Sequence, residues 1–426
     1  MNKTVVAFLG LITFVALSEW ATAAGPKLQV LHSFAGGTDG ATPAANLVSD
    51  SIGNLYGTTA AGGSNKSCFG EIGCGTVFEV SPPQNVGGRW KESVLYRFAG
   101  GSDGAAPDSG LVLDGAGNLY GTTPYGGDLS NQLCVANTGD TGCGIVFEVS
   151  PQQGGGWVET VLYTFEGVTD GAYPEGDLAF DASGNLFGTT SAGGGGPECG
   201  SQLIGCGTVF ELSPNGSGGW TETTVYQFQG QDGAIPLAGL IPDSLGNFYG
   251  TTFAGGTLGD GNVFELSPPQ QQGESWTESS LYSFTAIAGN PRAGVIFDPQ
   301  GNLYGTTSTG NGTVFELSQD GSTWNGTTIY SFKGGRFETL TGGLVRDNSG
   351  NLYGPASGPF CGAIYRLQEV NGQWKQAELV FPEKTEGPCG PTGALTFGKW
   401  GALYGTSTEG GTCSGSECGT VFGILP

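Results

Sequence analysis

Two acids and one base stand out in this 426-residue chain because of the position they share. Asp108, Glu175 and Arg292 each directly follow a proline (Pro107, Pro174, Pro291) at equivalent places in a repeated unit. The other copies of that position hold Ala44, Leu237, Thr341 and Thr392. A side chain that departs from its repeat is not required by the scaffold and is free to serve a ligand. Two carboxyls about 5–10 Å apart, one with a raised pKa, can hydrolyse a glycosidic bond, and Asp108 with Glu175 is the pair that qualifies. A lyase instead needs a Tyr or Lys base and an arginine to neutralise a uronate, and Arg292 or Arg336 suits that task. Without any reaction, Asp108, Glu175, Arg292, Arg336, Thr341 and Thr392 can hold a sugar or a cation.

Other chemistries lack raw material. The chain has one histidine, His32, and its one methionine is the initiator. A Ser-His-Asp triad or a His-rich metal site is therefore not expected. Lys plus Arg number 14 against 38 Asp plus Glu, a net charge of −24, which argues against nucleic acid as a partner. The charge is uneven. Residues 24–284 carry 5 basic and 26 acidic side chains (net −21), and residues 285–426 carry 8 and 11 (net −3).

What positions these groups is a sevenfold repeat. The signature Asn-Leu-Tyr-Gly-Thr-Thr occurs at 54–59, 118–123, 185–190, 247–252, 302–307, 351–356 and 402–407, with small substitutions. Each unit reads as four strands, A to D: Gly-Leu-Val-x-Asp, then the signature, then Gly-Thr-Val-Phe-Glu-Leu-Ser-Pro, then Trp-x-Glu-x-x-Leu-Tyr-x-Phe. β-Branched and aromatic runs separated by turn residues, with no helical period, indicate strands. Four antiparallel strands repeated seven times describe an all-β, seven-bladed β-propeller. The expected blades span 44–98, 108–165, 175–228, 237–284, 292–332, 341–381 and 392–426. The seventh unit ends without strand D, and the mature N-terminus opens with an orphan one, residues 28–34. That strand is expected to pair in blade 7, closing the ring and removing an exposed edge. In this alignment His32 takes the place of Tyr96, Tyr163, Tyr226, Tyr282 and Tyr330.

The Leu-Tyr-Gly-Thr-Thr and Gly-Thr-Val-Phe-Glu-Leu-Ser-Pro blocks, with the linker Gly-Gly-x-Asp-Gly-Ala-x-Pro, resemble the GloVer tandem repeats of secreted bacterial choice-of-anchor proteins. The resemblance covers nearly all of 28–426. It implies an extracytoplasmic repeat protein and transfers no catalytic residue.

Residues 1–23 read as a signal peptide, with Lys3, an apolar stretch Thr4–Leu17 and the cleavage site Ala21-Thr22-Ala23. No later run is long enough for a membrane helix and no C-terminal anchor signal is seen, so a secreted or periplasmic monomer is expected. The ten cysteines suit disulfides in such a compartment. Spacing pairs Cys68 with Cys74, Cys134 with Cys143, Cys199 with Cys206 and Cys413 with Cys418, and leaves Cys361 for Cys389.

Topology places the D–A linkers and B–C loops on one face, the top, which holds all the variable loops. Long Cys-bearing B–C loops belong to blades 7, 1, 2 and 3. The position after the linker proline is expected to ring the mouth of the central channel. The repeated Asp50, Asp114, Asp181, Asp243, Asp298 and Asp347 read as caps of the A–B turns. Trp90, Trp157, Trp220, Trp276, Trp324 and Trp374 are expected to cover their own blades' hairpins, and Glu79, Glu148, Glu211, Glu265 and Glu316 to be structural. Asp39, Asp103, Asp170 and Asp232 offer oxygen ligands for calcium, but turn capping is the expectation and no cofactor is required. The expected function is a non-catalytic binding or scaffold protein whose top face holds a glycan or an extracellular protein. The alternative is a glycoside hydrolase or polysaccharide lyase at the same mouth.

Overall fold

The computed structural model describes residues 26–63, 68, 72–85, 88–131, 133–134, 142–195, 199, 205–271, 273–334, 339–358, 361–379, 388–411 and 418–425. The segment 1–23 expected to be a signal peptide, Arg336 and Cys413 lie outside these residues. The described chain forms seven antiparallel sheets, each with the order A-B-C-D. Blade 1, for example, comprises Val48–Ser49, Leu55–Thr59, Thr76–Ser81 and Lys91–Arg97. Strand A is two residues long in every blade, shorter than the five-residue motif that encodes it. Blades 6 and 7 gain an extra short strand from the linker, Thr339–Leu340 and Cys389–Pro391.

Each residue of the signature has a packing role. Leu55 is fully buried. Gly57 lies under the ring of Phe78 on the neighbouring strand, and a Cβ there would sit 2.8 Å from both that ring and Leu47. The first threonine reaches the next blade: Thr58 Oγ1 donates to the Ser109 carbonyl at 2.9 Å. The second ties strand B to strand C, with Thr59 and Thr76 hydroxyls 2.8 Å apart. The tyrosine hydroxyl donates to the turn aspartate, Tyr56 to Asp50 at 3.2 Å. Asp50 also accepts the backbone N–H groups of Ile52, Gly53 and Asn54, so the turn aspartates are caps. Glu79 pairs with Tyr56 across the ladder and accepts the Ser81 hydroxyl.

The tryptophans differ from expectation. They reach across to the preceding blade, and Trp276 packs against both Phe187 of blade 3 and Phe248 of its own blade 4. Trp157 of blade 2 packs edge-on against Tyr56 of blade 1, Trp220 against Tyr120, and Trp374 against Tyr304. The twist of each sheet carries the start of its outermost strand over the neighbour's strand B, where the indole covers the tyrosine ring.

The N-terminal strand Lys27–Ser33 pairs antiparallel with Thr420–Leu425, the strand C of blade 7. His32 stands opposite Val421, as Tyr96 stands opposite Val77 in blade 1. Phe34 packs against Phe78 of blade 1, as Phe98 packs against Phe147 of blade 2. Four disulfides join Cys68–Cys74, Cys134–Cys143, Cys199–Cys206 and Cys361–Cys389, and Cys418 is also disulfide-bonded. Among the described residues no helix is long and apolar enough to cross a membrane.

Candidate functional site at the channel mouth

The linkers between blades set the site. In five of them the residue before the proline has a left-handed backbone: Thr42, Ala106, Tyr173, Ile235 and Asn290 have φ between 56° and 59°. That conformation is costly for a non-glycine residue and more so for a β-branched one. It is held by a backbone bond to the previous blade. The N–H groups of Ala106, Tyr173 and Ile235 donate to the carbonyls of Cys74, Cys143 and Cys206. The proline then seats against the glycine that follows each cysteine; a Cβ on Gly75 (φ +95°) would meet Pro107 at 2.6 Å. The disulfide-bonded loops thus fix where the next residue points, and strain concentrated in this way is common at functional sites.

Those next residues converge. Ala44, Asp108, Glu175, Leu237, Arg292, Thr341 and Thr392, one from each blade, line a single cavity of about 160 Å³. A second tier below them is lined mostly by glycine, but carries Asn46 from blade 1 and Asp177 from blade 3. Asp177 accepts the Gly110 N–H of blade 2 at 2.5 Å and the Asn46 amide of blade 1, so it binds three blades together. Sequence reasoning missed Asp177 and Asn46. The signal was there, since both replace a glycine or alanine of the repeat.

The carboxyls are crowded and poorly hydrated. Burial raises the Asp108 carboxyl well above the usual range, and the charges of Glu175 and Asp177 add to it. Its Oδ1 is buried and has no hydrogen-bond partner. Burial pushes Glu175 up to about 7, with the Arg292 guanidinium pulling the other way. Asp177 is raised by burial despite its two donors. Arg292 is exposed and lies over the Phe253 ring, 4.6 Å from its centroid. The two threonines are partly committed to the scaffold: Thr341 donates to the Pro391 carbonyl at 2.7 Å and Thr392 to that of Ala44 at 3.0 Å. Each leaves only acceptor lone pairs for a ligand.

Asp39, Asp103, Asp170 and Asp232 do not meet one another. Each accepts N–H groups of its own linker, and the last three also accept Tyr96, Tyr163 and Tyr226 hydroxyls at 2.6–2.9 Å. They act as caps between blades. Among the described residues no three His, Cys, Asp or Glu side chains are grouped to hold a metal ion.

Fold and site together define a seven-bladed β-propeller with a carboxyl-rich channel mouth. The chain belongs to the Gloeobacter/Verrucomicrobia repeat family, whose profile matches residues 16–132 and 130–359. No curated protein matches the sequence. Among solved structures it is similar to a Bacteroides uniformis protein assigned as a 6-phosphogluconolactonase, at 14% identity and a TM-score of 0.49, covering 78% of this chain and 84% of that one. It is also similar to a Dyadobacter fermentans protein of unknown function (13%, TM-score 0.45, 82% and 98%). A third is the PQQ-bound aldose sugar dehydrogenase of Streptomyces coelicolor (13%, TM-score 0.44, 83% and 98%). Likeness at this level says nothing about activity.

Proposed function

We propose that this is an extracytoplasmic, non-catalytic binding protein that holds the end of a glycan in its channel mouth. The observation that carries the reading is Asp108, a residue that lines the mouth cavity and whose Oδ1 is buried without a hydrogen-bond partner. An unsatisfied buried polar group is costly unless a ligand completes it. A protonated Asp108 offers both a donor and an acceptor, and Arg292 offers donors, which suits sugar hydroxyls that do both. A cavity of about 160 Å³ is small beside pockets of about 300–1,000 Å³ that enclose whole ligands, so it takes one terminal sugar unit. Four disulfides suit a secreted or periplasmic location.

The hydrolase reading draws on the same pair, Asp108 and Glu175. It is weaker because hydrolysis needs one carboxylate ionised while its partner holds the proton, and here burial drives both upward. A glycan array probed with the wild-type protein and with Asp108→Asn tests the proposal. Binding of at least one glycan class, weakened in the variant and unaccompanied by cleavage, is expected. Release of new reducing ends, abolished by Asp108→Asn or Glu175→Gln, transfers the assignment to an enzyme. Absence of any bound glycan removes the proposal.

A further inference from the structure

The opposite face carries a second cavity at the seam between blades 7 and 1. Five other blades have a common polar arrangement beneath their strand-B tyrosine. The hydroxyls of Tyr56, Tyr120, Tyr249, Tyr304 and Tyr353 donate to the turn aspartate at 3.0–3.4 Å. The turn asparagine donates to the same carboxylate, as Asn54 does to Asp50 at 2.8 Å. In blades 1, 2, 4 and 5 a strand-C glutamate faces the tyrosine across the ladder, and in blade 5 Glu316 accepts the Tyr304 hydroxyl at 2.8 Å.

Blade 7 has lost all three partners. Gly398 stands where the aspartate belongs, Ala402 replaces the asparagine, and Gly423 replaces the glutamate opposite Tyr404. A Cβ on Gly398 would run into the Tyr404 ring, so the ring occupies the space that the aspartate side chain would need. These truncations leave a largely apolar groove of about 510 Å³, with Phe397, Lys399 and Tyr404 on one side and Ile52, Pro82 and Trp90 on the other. The volume lies within the about 300–1,000 Å³ range of small-molecule sites. The local charge shifts as well, although Asp50 of blade 1 also lines the groove, its carboxylate engaged by the N–H groups of Ile52, Gly53 and Asn54, the Asn54 amide and the Tyr56 hydroxyl. Two carboxyls are gone and an amine has arrived, in a chain whose net charge is −24. Lys399 reaches across the groove toward blade 1, its Nζ 3.9 Å from where a Cβ of Gly53 would be. It makes no ion pair with a described residue.

We propose that this seam groove is a binding site for a small aromatic carboxylic acid. The ring is buried against Trp90, Phe397 and Ile52. The carboxylate supplies the negative partner that the other blades provide from within and that Lys399 and Tyr404 lack. The claim is independent of the mouth.

Titration calorimetry of the purified protein with 2-naphthoate and with its neutral counterpart 2-naphthalenemethanol tests it. One molecule of 2-naphthoate is expected per chain, with the alcohol weaker. Lys399 is exposed, so Lys399→Ala leaves the fold intact. It is expected to weaken 2-naphthoate about tenfold, the scale of one charged hydrogen bond, without changing the alcohol. Gly423→Glu, which returns a carboxyl opposite Tyr404, weakens the acid further, while Asp108→Asn leaves it unchanged. Equal affinity for acid and alcohol, indifference to Lys399→Ala, or no binding because a second copy of the chain or nothing at all fits the groove, each overturns the proposal.

Discussion

Thr406 donates its hydroxyl hydrogen to the carbonyl of Ala45 at 2.7 Å, across 361 positions of sequence. Thr58 makes the equivalent bond to Ser109, Thr189 to Ala238 and Thr251 to Ala293, at 2.9–3.0 Å. The junction of the last blade with the first is therefore built like the others. Thr392 and Thr396 add bonds to the Ala44 and Leu47 carbonyls there.

Replacing Thr406 by valine keeps the shape but leaves the buried Ala45 carbonyl short of a donor. A loss of about 1–3 kcal/mol in unfolding free energy is expected. Urea denaturation of Thr406→Val beside Thr58→Val checks it, and the two should lose similar amounts. A Thr406 variant that costs nothing while Thr58→Val does would mean the seam bears no load.

The outer strands make stability depend on pH. Burial pushes Glu92, Glu159, Glu222 and Glu278 up to about 7, and the charges of Asp39, Asp103, Asp170 and Asp232 reinforce this. The unfolded chain releases these protons near the ordinary glutamate value of 4.5. The folded state holds them more tightly, so their contribution is complete below about 4.5 and is lost as pH rises to about 7. For Asp114 and Asp347 burial works upward, but hydrogen bonds from their turns prevail and lower the pKa. Their contribution is lost on acidification below the usual aspartate range. Thermal unfolding from pH 4.5 to 8 should show a falling Tm. Replacing all four glutamates by glutamine should flatten the profile; a Tm that rises over this interval contradicts the account.

His32 is a repeat residue out of place. Its Nε2 is 3.6 Å from Asp39 Oδ2, too far for a hydrogen bond, whereas Tyr96 reaches Asp103 at 2.9 Å. His32→Tyr should supply the missing bond and stabilise the protein by about 0.5–1.5 kcal/mol. A calorimetric scan that shows no gain in Tm would mean that Asp39 is not placed as its counterparts are.

The Cys361–Cys389 bridge spans 28 residues and joins blade 6 to the linker of blade 7. The Cys68–Cys74 bridge spans 6. Loop-closure entropy assigns about 3–4 kcal/mol to the longer and about 2 kcal/mol to the shorter. Paired Cys→Ser variants of each, compared by denaturant unfolding, should preserve that order.

Features repeated in sequence were legible there. Seven signatures, a missing last strand and a spare first one led to the propeller and to the pairing of the N-terminal strand with the last strand of blade 7. The post-proline position led to the mouth, because one equivalent residue per blade must meet at the axis. Contacts between blades were not legible. Trp157 touches Tyr56 of another unit, which depends on sheet twist rather than on spacing. Asp177 escaped notice because its importance lies in reaching Asn46 and Gly110 of two other blades. The seam groove was spelled out by Gly398, Ala402 and Gly423, yet its meaning required knowing that the residues they replace all converge on one tyrosine hydroxyl.

The claim that the mouth is a binding site meets its most direct test in calorimetric titration of an array-selected glycan into wild-type protein and an Asp108→Asn/Glu175→Gln double variant. The account predicts single-site binding to the wild type and at least tenfold weaker binding to the variant, about the scale of one hydrogen bond to a charged group. Equal affinity for both proteins would contradict it.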